Sequence, residues 1–509
     1  MAVIGEGLLN GKLPYRDFWE MGSPAIFMTY ALMFKLFGTH MSTIPITDLL
    51  MSMLTTFLLY LLVKTIWNNK TAYISAIVFA FFSSGVRFGM HAGGDIAFGT
   101  FWYIAQRETF ILPLTVGSIL LLLSGIKRDY SSWQIILSGL MAGLSFVFKF
   151  PSLIFFCCLL VYLNANILFF SDNPKKIKKI LITNVVIGFG FILALVPFVM
   201  FFMTKGAFNE MIDVIFRFVY SVYGQMEHNY LATIKRGLFH TFFISEENFI
   251  IWFFFIASSI YIIFNDRTKE NLFMVLWAVS SAVFVISHRE FFGYHYLVIL
   301  PPFSVLTGYG IIKSLGPHFN FKSIFSQNFG KTFIIFILLI NIFFFAAINF
   351  MHYTKFFYYV TDRISKDEYY SFFTAYPKHD YSFAADYQVA QYIQKNTDTD
   401  DMIYIMGGIE SVIHFLTKRE SPSRFVFSSI IFSESHGRGK QAELYREELL
   451  QDLMEKAPKY IVSIRPIENF NQFHDIYNYL NNNYVFDKEF PDDRFVYVLK
   501  EHKSSDNSM

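Results

Sequence analysis

Four acidic residues stand beside or just before apolar segments of this sequence, where a charged group is costly and is therefore a candidate for function. A carboxylate in such a place can act as a general base or as a metal ligand. The start of a helix also favours an acidic side chain through the helix dipole alone. Both interpretations stay open for Glu108, which opens an apolar run directly after Arg107. The candidates for catalysis are Glu108, Asp95, Asp17 and Glu20.

Basic residues and a histidine accompany these acids and indicate the binding of a phosphate. Arginine can hold a phosphate through two parallel hydrogen bonds, and several cations in one groove concentrate an anionic ligand. Simpler roles remain open for Lys149, as a side chain that snorkels to the membrane surface, and for His295, as a hydrogen-bonded interfacial residue. The candidates for phosphate binding are Arg16, Arg107, Lys149, Arg289 and His295, with Lys12 close to Arg16.

No short motif assigns a metal or a nucleotide to the chain. The sequence contains no His/Glu pair with zincin spacing and no Gly-x-Ser-x-Gly elbow, so a divalent metal is possible but unassigned. The two cysteines, Cys157 and Cys158, are adjacent within an apolar run, which excludes a disulfide scaffold and a zinc ribbon. A net charge of +2 gives no indication of nucleic-acid binding.

The elements that must hold these residues are membrane helices. Hydrophobic residues make up 54% of the 509 residues and charged residues 16%, against about 25% charged residues in soluble domains. The charges are uneven: residues 1–350 contain 40 charged residues, and the 159 residues of 351–509 contain 42. Composition therefore predicts a polytopic membrane region followed by a soluble region.

A helix that spans a membrane needs roughly 20 mostly apolar residues. The segment from Pro24 to Phe37 is apolar but short and contains Lys35, so we expect an amphipathic surface helix there, with a span as the alternative. Ten other segments satisfy the requirement: residues 43–65, 71–89, 108–126, 131–149, 151–170, 179–203, 248–265, 271–288, 294–314 and 333–352.

Basic residues in alternate loops predict the orientation of these spans. One set of loops is rich in lysine, above all around residues 175–179, and we expect it to be cytoplasmic. The N-terminus, the candidate residues and the C-terminal region are then extracytoplasmic, at the bacterial inner membrane. No apolar segment precedes Gly5 to export this N-terminus, so we expect that a first transmembrane helix lies upstream of Met1.

The C-terminal region alternates helical and strand patterns. Helices are predicted over 384–395, 443–456 and 473–482, and strands over 402–406, 460–464 and 495–499. This alternation is typical of a small layered α/β sheet. The predicted organisation is a first external loop with its amphipathic helix (1–42), a transmembrane domain (43–352) and a soluble external α/β domain (353–509).

Four segments together resemble bacterial GT-C glycosyltransferases, in particular the dolichyl-phosphate-mannose protein mannosyltransferase group, family 39, and the lipid A aminoarabinose transferases. GLLNGKLPYRDFWE (7–20), with an apolar helix after it, resembles their first external loop. QRE (106–108) resembles their second-loop acidic motif, and FKFP (148–151) their Lys-Pro junction. YHYL (294–297), continuing to Pro301 and Pro302, resembles their late His-Tyr-Leu helix.

The resemblance implies a membrane-bound enzyme with an extracytoplasmic active site. Its donor would be a sugar on a polyprenyl phosphate, and its acceptor a lipid, glycan or protein. Glu108 would be the base or an acid linked to a metal, with inversion at the anomeric carbon, while Arg16, Lys149 and Arg289 would stabilise the leaving phosphate. The family's first acidic residue would lie upstream of Met1.

Two other functions remain open on the sequence. A transporter or flippase for a polyprenyl-linked glycan would show paired half-helices or an inverted repeat, and the sequence contains neither pattern. A non-catalytic membrane scaffold with an external binding domain would tolerate the loss of the charges at the membrane edge.

Overall fold

The architecture is given by a computed structural model, which describes residues 1–83, 105–171, 174–220, 231–232, 234–237, 249–288, 293–316, 340, 343, 350, 354–373, 382–407, 411–433 and 440–502. The α-helices are α1 (Ala2–Leu9), α2 (Pro24–Phe37), α3 (Thr43–Ile66), α4 (Asn69–Ser83), α5 (Arg107–Lys127), α6 (Ser132–Phe148), α7 (Leu153–Phe170), α8 (Lys176–Thr204), α9 (Phe208–Ile212), α10 (Phe249–Asn265), α11 (Lys269–Ser287), α12 (Leu300–Leu315), α13 (Lys366–Ser371), α14 (Phe383–Asn396), α15 (Val412–Thr417), α16 (Lys440–Lys456) and α17 (His474–Asn483). The strands are β1 (Ile403–Met406), β2 (Tyr460–Ser463), β3 (Tyr484–Phe490) and β4 (Arg494–Leu499).

Six helical segments in the described part of the chain are long and apolar enough to cross a membrane. They are Thr43–Ile66, Arg107–Lys127, Phe150–Phe170, Lys176–Thr204, Lys269–Ser287 and Tyr294–Leu315. Shorter apolar helices cover Ser132–Phe148 and Ile251–Asn265, inside two further predicted spans, and Pro24–Phe37, where the surface helix was predicted. The multi-span helical bundle is thus confirmed. The end of the predicted span 71–89 and nearly all of 333–352 lie outside the described residues.

Helices α6 and α8 cross with their backbones in close approach. A Cβ atom added to Gly139 would lie 2.0 Å from the carbonyl oxygen of Ile187, and one added to Gly190 would lie 2.0 Å from that of Ile136. In lipid, where tails are as apolar as leucine, helix association depends on such close packing of small residues. The crossing fixes α6, and with it the residue that follows α6, Lys149.

The C-terminal region contains a four-stranded sheet in the order β1-β2-β4-β3. Strands β1 and β2 are parallel, and the other two pairs are antiparallel. The three predicted strands and three predicted helices are all present, which confirms the mixed α/β fold. The sequence analysis missed β3, which joins β4 through a turn where Asp492 and Asp493 both have positive φ. Asp tolerates that left-handed conformation, which suits tight hairpins.

An aromatic cluster docks this α/β region onto the first loop. The fully buried Trp19 packs against Phe218, Phe425 and Tyr445, with ring centroids 5.0, 5.9 and 5.6 Å away. The Trp19 backbone N–H donates to the Arg424 carbonyl oxygen at 2.8 Å, and the Arg424 guanidinium donates to the Tyr15 carbonyl oxygen at 3.1 Å. The first loop is therefore held between the helical bundle and the α/β region.

Candidate functional site

Glu108 lies in the first turn of α5 and is fully buried. The helix begins there because Gln106 has extended backbone dihedrals, and the residues that follow form a continuous apolar run. One carboxylate oxygen, Oε1, accepts a hydrogen bond from the ammonium group of Lys149. The other oxygen, Oε2, is buried and has no hydrogen-bond partner within the described residues.

Lys149 reaches Glu108 because α6 ends immediately before it. Its backbone is extended, with φ −162° and ψ 117°, and a short 3-10 turn over Phe150–Ser152 follows. Pro151 has no N–H to donate to the carbonyl four residues earlier, and its ring would clash with that carbonyl, so α6 cannot continue through it. The Lys149 ammonium lies 5.8 Å from the ring centroid of Phe284 and 5.4 Å from that of Tyr294. Aromatic faces stabilise a cation that the protein has largely removed from water.

Two histidines complete the cluster around Glu108. His295 lies in a 3-10 turn over Gly293–Ile299, which leads into α12, and its Nε2 is 3.7 Å from Glu108 Oε1. His288 follows α11, and its ring centroid is 4.3 Å from that of His295. The Nδ1 of His288 lies 2.7 Å from the Phe284 carbonyl oxygen, so Nδ1 carries the proton. Its Nε2 is then an acceptor, buried without a partner in the described part of the chain.

Glu108, His288 and His295 together form a set of ligands that fits a divalent metal. Ligand atoms of Glu108, His288 and His295 all lie within 4.8 Å of one another. Two imidazoles and a carboxylate suit Zn²⁺ and related ions. The Nε2 of His288, an acceptor without a partner in the described part of the chain, offers the lone pair that a cation would use. Lys149 competes for the same carboxylate, so a metal would share Glu108 with a neighbouring positive charge.

Arg107 adds a second cation beside this cluster. It is the first residue of α5, directly before Glu108, and its Nε is buried without a hydrogen-bond partner among the described residues. Burial and the negative charge of Glu20 raise the pKa of Tyr15, whereas Arg107 lowers it. Glu20 and Arg107 therefore act with opposite sign on the pKa of the same first-loop side chain.

Two other first-loop candidates, Arg16 and Asp17, pair with each other. Arg16 donates from Nε to Asp17 Oδ1 at 3.0 Å and from Nη2 to Asp17 Oδ2 at 2.8 Å. Burial alone would raise the pKa of Asp17, but these bonds and the Leu13 N–H lower it. Glu20 accepts a hydrogen bond from the backbone N–H of Gly22 at 3.1 Å.

The structure thus brings Glu108, Lys149 and His295 into direct contact, with Arg107 next to them. Asp17 and Arg16 have one another as partners, and their part in a site stays a prediction. Asp95 and Arg289 lie outside the described residues. The sequence analysis did not choose His288 as a site residue; the signal for it was a histidine at the end of an apolar span, seven residues before His295.

Two family matches cover separate parts of the chain. Residues 22–201 match the family described as dolichyl-phosphate-mannose-protein mannosyltransferase. The resemblance to this family is confirmed. The matched range contains Glu108 and Lys149. Residues 384–500 match the C-terminal domain family of the competence-induced protein Ccs4. No curated protein matches the chain by sequence.

Solved structures show the same architecture. ArnT from Cupriavidus metallidurans in the apo state is 11% identical with a TM-score of 0.52, over 94% of this chain and 88% of ArnT. ArnT bound to undecaprenyl phosphate is 11% identical with a TM-score of 0.50, over 97% of this chain and 91% of ArnT. The oligosaccharyltransferase of Archaeoglobus fulgidus, crystallised with Zn and sulfate, is 14% identical with a TM-score of 0.48 over 96% of this chain. The chain spans 66% of the length of that archaeal protein. At such identities the likeness to ArnT establishes the fold alone, a multi-span helical membrane bundle with a C-terminal α/β region.

Proposed function

We propose that this chain is a membrane glycosyltransferase that moves a sugar from a polyprenyl-phosphate donor to an extracytoplasmic acceptor, with inversion. The observation that carries the proposal is the buried Glu108 carboxylate, bound by Lys149 and flanked by His288 and His295 at the end of an apolar bundle. The family match over residues 22–201 and the binding of undecaprenyl phosphate by the structurally similar ArnT support it.

The two carboxylate oxygens of Glu108 have different roles in the proposed reaction. Lys149 holds Oε1 and so orients the carboxylate, while Oε2 is left to accept the proton of the acceptor hydroxyl or amine. The acceptor's nucleophilic atom bonds to the anomeric carbon as the bond from that carbon to the phosphate oxygen breaks. Attack from the face opposite the leaving group inverts the configuration. Polyprenyl phosphate leaves with the bonding electron pair.

Cations beside Glu108 stabilise the leaving phosphate. Its negative charge grows as the sugar–oxygen bond breaks, so a fixed positive charge favours the transition state over the bound donor. Lys149 has three N–H donors and can keep Glu108 while donating another hydrogen bond to the phosphate. The Nε of Arg107, buried and without a partner among the described residues, can contribute a second donor. Arg16 and Arg289 remain predicted contributors.

A divalent cation is the proposed cofactor of the same cluster. Glu108, His288 and His295 would hold it, and it would supply further positive charge where the phosphate charge develops. The residues of the chain would still orient the carboxylate and exclude water, because Glu108 and His295 are buried.

The proposal is tested by sugar transfer in membranes that contain the full chain, using a panel of labelled polyprenyl-phosphate sugars. We expect one donor to be consumed with formation of a product of inverted anomeric configuration. Lys149→Ala should weaken the binding of undecaprenyl phosphate as well as the rate. Consumption of no donor by the folded chain, together with no binding of undecaprenyl phosphate, would contradict the proposal. Movement of an intact donor across the membrane would instead favour a flippase.

A further inference from the structure

Asp48 is an acidic residue inside the apolar helix α3, at the sixth position of a candidate membrane span. An ionisable residue in such a helix is costly and is a candidate for function. The sequence analysis assigned it no role. Its side chain points to the start of α5, the helix that carries Glu108.

One oxygen of Asp48 holds two groups at the start of α5. Oδ1 accepts a hydrogen bond from the backbone N–H of Ala105 at 2.8 Å and another from the hydroxyl of Thr109 at 2.9 Å. The two donors lie on either side of Glu108 in the chain, and Thr109 is its immediate neighbour. The bonds therefore tie both ends of the first turn of α5 to α3.

The turn that Asp48 holds is strained. Ala105 is fully buried and has φ +51°, the left-handed conformation that residues with a Cβ rarely adopt. A second clamp acts on the same peptide: the Tyr30 hydroxyl donates to the Ala105 carbonyl oxygen at 3.1 Å. Such a conformation persists only where its surroundings hold it. Both polar groups of Ala105 are held, one by α3 and the other by α2.

We propose that Asp48 is a positioning residue for Glu108, fixing the first turn of α5 so that the carboxylate meets Lys149 and the two histidines. This inference rests on the proposed function, because it assigns Glu108 the central role. Asp48 has no described contact with Lys149, His288 or His295. Its loss should therefore displace the catalytic carboxylate while leaving the cations that bind phosphate in place.

Three variants separate a hydrogen-bonding clamp from a charge effect. Asp48→Asn keeps an oxygen that can accept from Ala105 and Thr109, whereas Asp48→Ala removes the acceptor. Tyr30→Phe removes only the second clamp. Thr56→Val is the matched control, because the hydroxyl of Thr56 donates within α3, to the Ser52 carbonyl oxygen, and has no other bond among the described residues.

We expect Asp48→Ala to lower kcat by about 10²-fold, the effect of a small misplacement of a catalytic group. KM for the active donor and the binding of undecaprenyl phosphate should change little. Asp48→Asn should recover most of kcat, Tyr30→Phe should show a smaller loss than Asp48→Ala, and Thr56→Val should show none. Full kcat in folded Asp48→Ala would overturn the inference, as would an Asp48→Asn variant as impaired as Asp48→Ala.

Hydrogen exchange supplies a readout that does not depend on activity. Asp48→Ala should raise the exchange rate of amides in residues 105–109 by about 10-fold, the effect of one lost net hydrogen bond, and should leave α6 unchanged. Unchanged exchange at 105–109 would contradict the clamp. If Glu108→Gln itself kept full transfer, the proposed function of Glu108 would fail, while the exchange data would still decide whether Asp48 holds this turn.

Discussion

Among the described residues, the membrane bundle and the α/β region each contain one ion pair of an acid with a lysine or arginine whose two side chains are both buried, and in both pairs the acid lies in the first turn of a helix. In the bundle, Glu108 pairs with Lys149. In the α/β region, Asp386 accepts a hydrogen bond from Arg494 Nε at 2.8 Å, and Arg494 Nη1 donates to the Asp492 carbonyl oxygen at 2.8 Å. The two pairs share chemistry, burial and local structure, so none of these features separates a reactive acid from a structural one.

The two ion pairs differ in whether buried polar atoms without a hydrogen-bond partner lie around them. In the described part of the chain, Asp386 and Arg494 have no buried side-chain oxygen or nitrogen without a partner. Glu108 Oε2, Arg107 Nε and His288 Nε2 are all buried without one. A folded protein rarely leaves buried polar groups unpaired unless a ligand or a reaction uses them. The comparison indicates that unpaired atoms around a buried ion pair, rather than the pair itself, mark the site.

The largest expected effect is on turnover by Glu108→Gln. The amide keeps the shape of the side chain but cannot accept the acceptor's proton, so sugar transfer should fall by about 10²–10⁴-fold while the protein folds and binds undecaprenyl phosphate. Transfer rate and lipid binding on the same purified variant provide the measurement.

The chain contains a matched control for this substitution. Lys269 and Glu270 open α11 as Arg107 and Glu108 open α5, with the acid in the first turn of the helix. Glu270→Gln removes the same favourable interaction with the helix dipole, worth about 0.3–1 kcal/mol of stability, but should leave transfer intact. Equal losses of transfer in the two variants would mean that Glu108 serves only the helix.

Asp386→Asn should lower stability, as Glu108→Gln also should by leaving Lys149 without its counter-charge, but it should leave transfer by the folded protein intact. It leaves the buried Arg494 guanidinium without its counter-charge, and breaking a buried pair in this way costs about 3–5 kcal/mol. Native-state hydrogen exchange in β2 and β4 of the full chain reports this loss. Asp401→Asn is the control, because the Asp401–Lys459 pair at 2.8 Å is partly exposed and should contribute about 1 kcal/mol or less. A folded Asp386→Asn variant that lost transfer would break the distinction between the two pairs.

Sequence patterns predicted much of the fold because buried segments are recognisable from the length and spacing of their apolar residues. Long apolar runs located the six described spans, and helix–strand alternation located three strands of the α/β region. β3 was missed because its residues 486–489, Phe-Asp-Lys-Glu, lack the apolar alternation of a typical strand. It is nevertheless paired with β4, which shows that tertiary pairing can override a weak local pattern.

The candidate site was predictable in its residue types and less so in its partners. Glu108, Lys149 and His295 stood out as ionisable residues at the ends of apolar runs. Their mutual contact depends on the break at Pro151 and on the α6–α8 crossing, which bring together residues far apart in the sequence. Asp48 was missed because its role lies in an interhelical hydrogen bond to Ala105, a contact with no sequence signature.

His414 predicts a pH dependence confined to the α/β region. It is buried in α15, with Nδ1 3.0 Å from the Arg419 carbonyl oxygen, and burial lowers its pKa to about 4. The unfolded side chain has a pKa near 6.5. Between pH 4 and pH 6.5 it therefore binds a proton that the folded side chain does not bind. The free energy of unfolding should therefore fall by about 3 kcal/mol as pH decreases from 6.5 to 4.

His414→Gln tests this dependence, since it removes the titrating group. The difference in the free energy of unfolding between the wild type and the variant should shrink as pH decreases through that window. Hydrogen exchange in β2 and β4, measured at several pH values, follows it. A His414 side chain that titrates near 6.5 in the folded protein, measured by NMR, would rule out this explanation.

The smallest effect is expected where charges join the two regions at the surface. Lys12 Nζ lies 2.6 Å from Glu420 Oε1, but the two side chains are 38% and 60% exposed. Water and salt screen such a pair, so Lys12→Met should change the free energy of unfolding by about 1 kcal/mol or less. Trp19→Ala, which empties the centre of the aromatic cluster between the same regions, should cost about 3–5 kcal/mol. Thermal unfolding of the full chain in detergent compares the two variants.

If Lys12→Met were as damaging as Trp19→Ala, surface charge rather than aromatic packing would hold the α/β region on the first loop. With the expected small effect, any loss of transfer in the folded Lys12→Met variant would instead reflect a contact with the substrate.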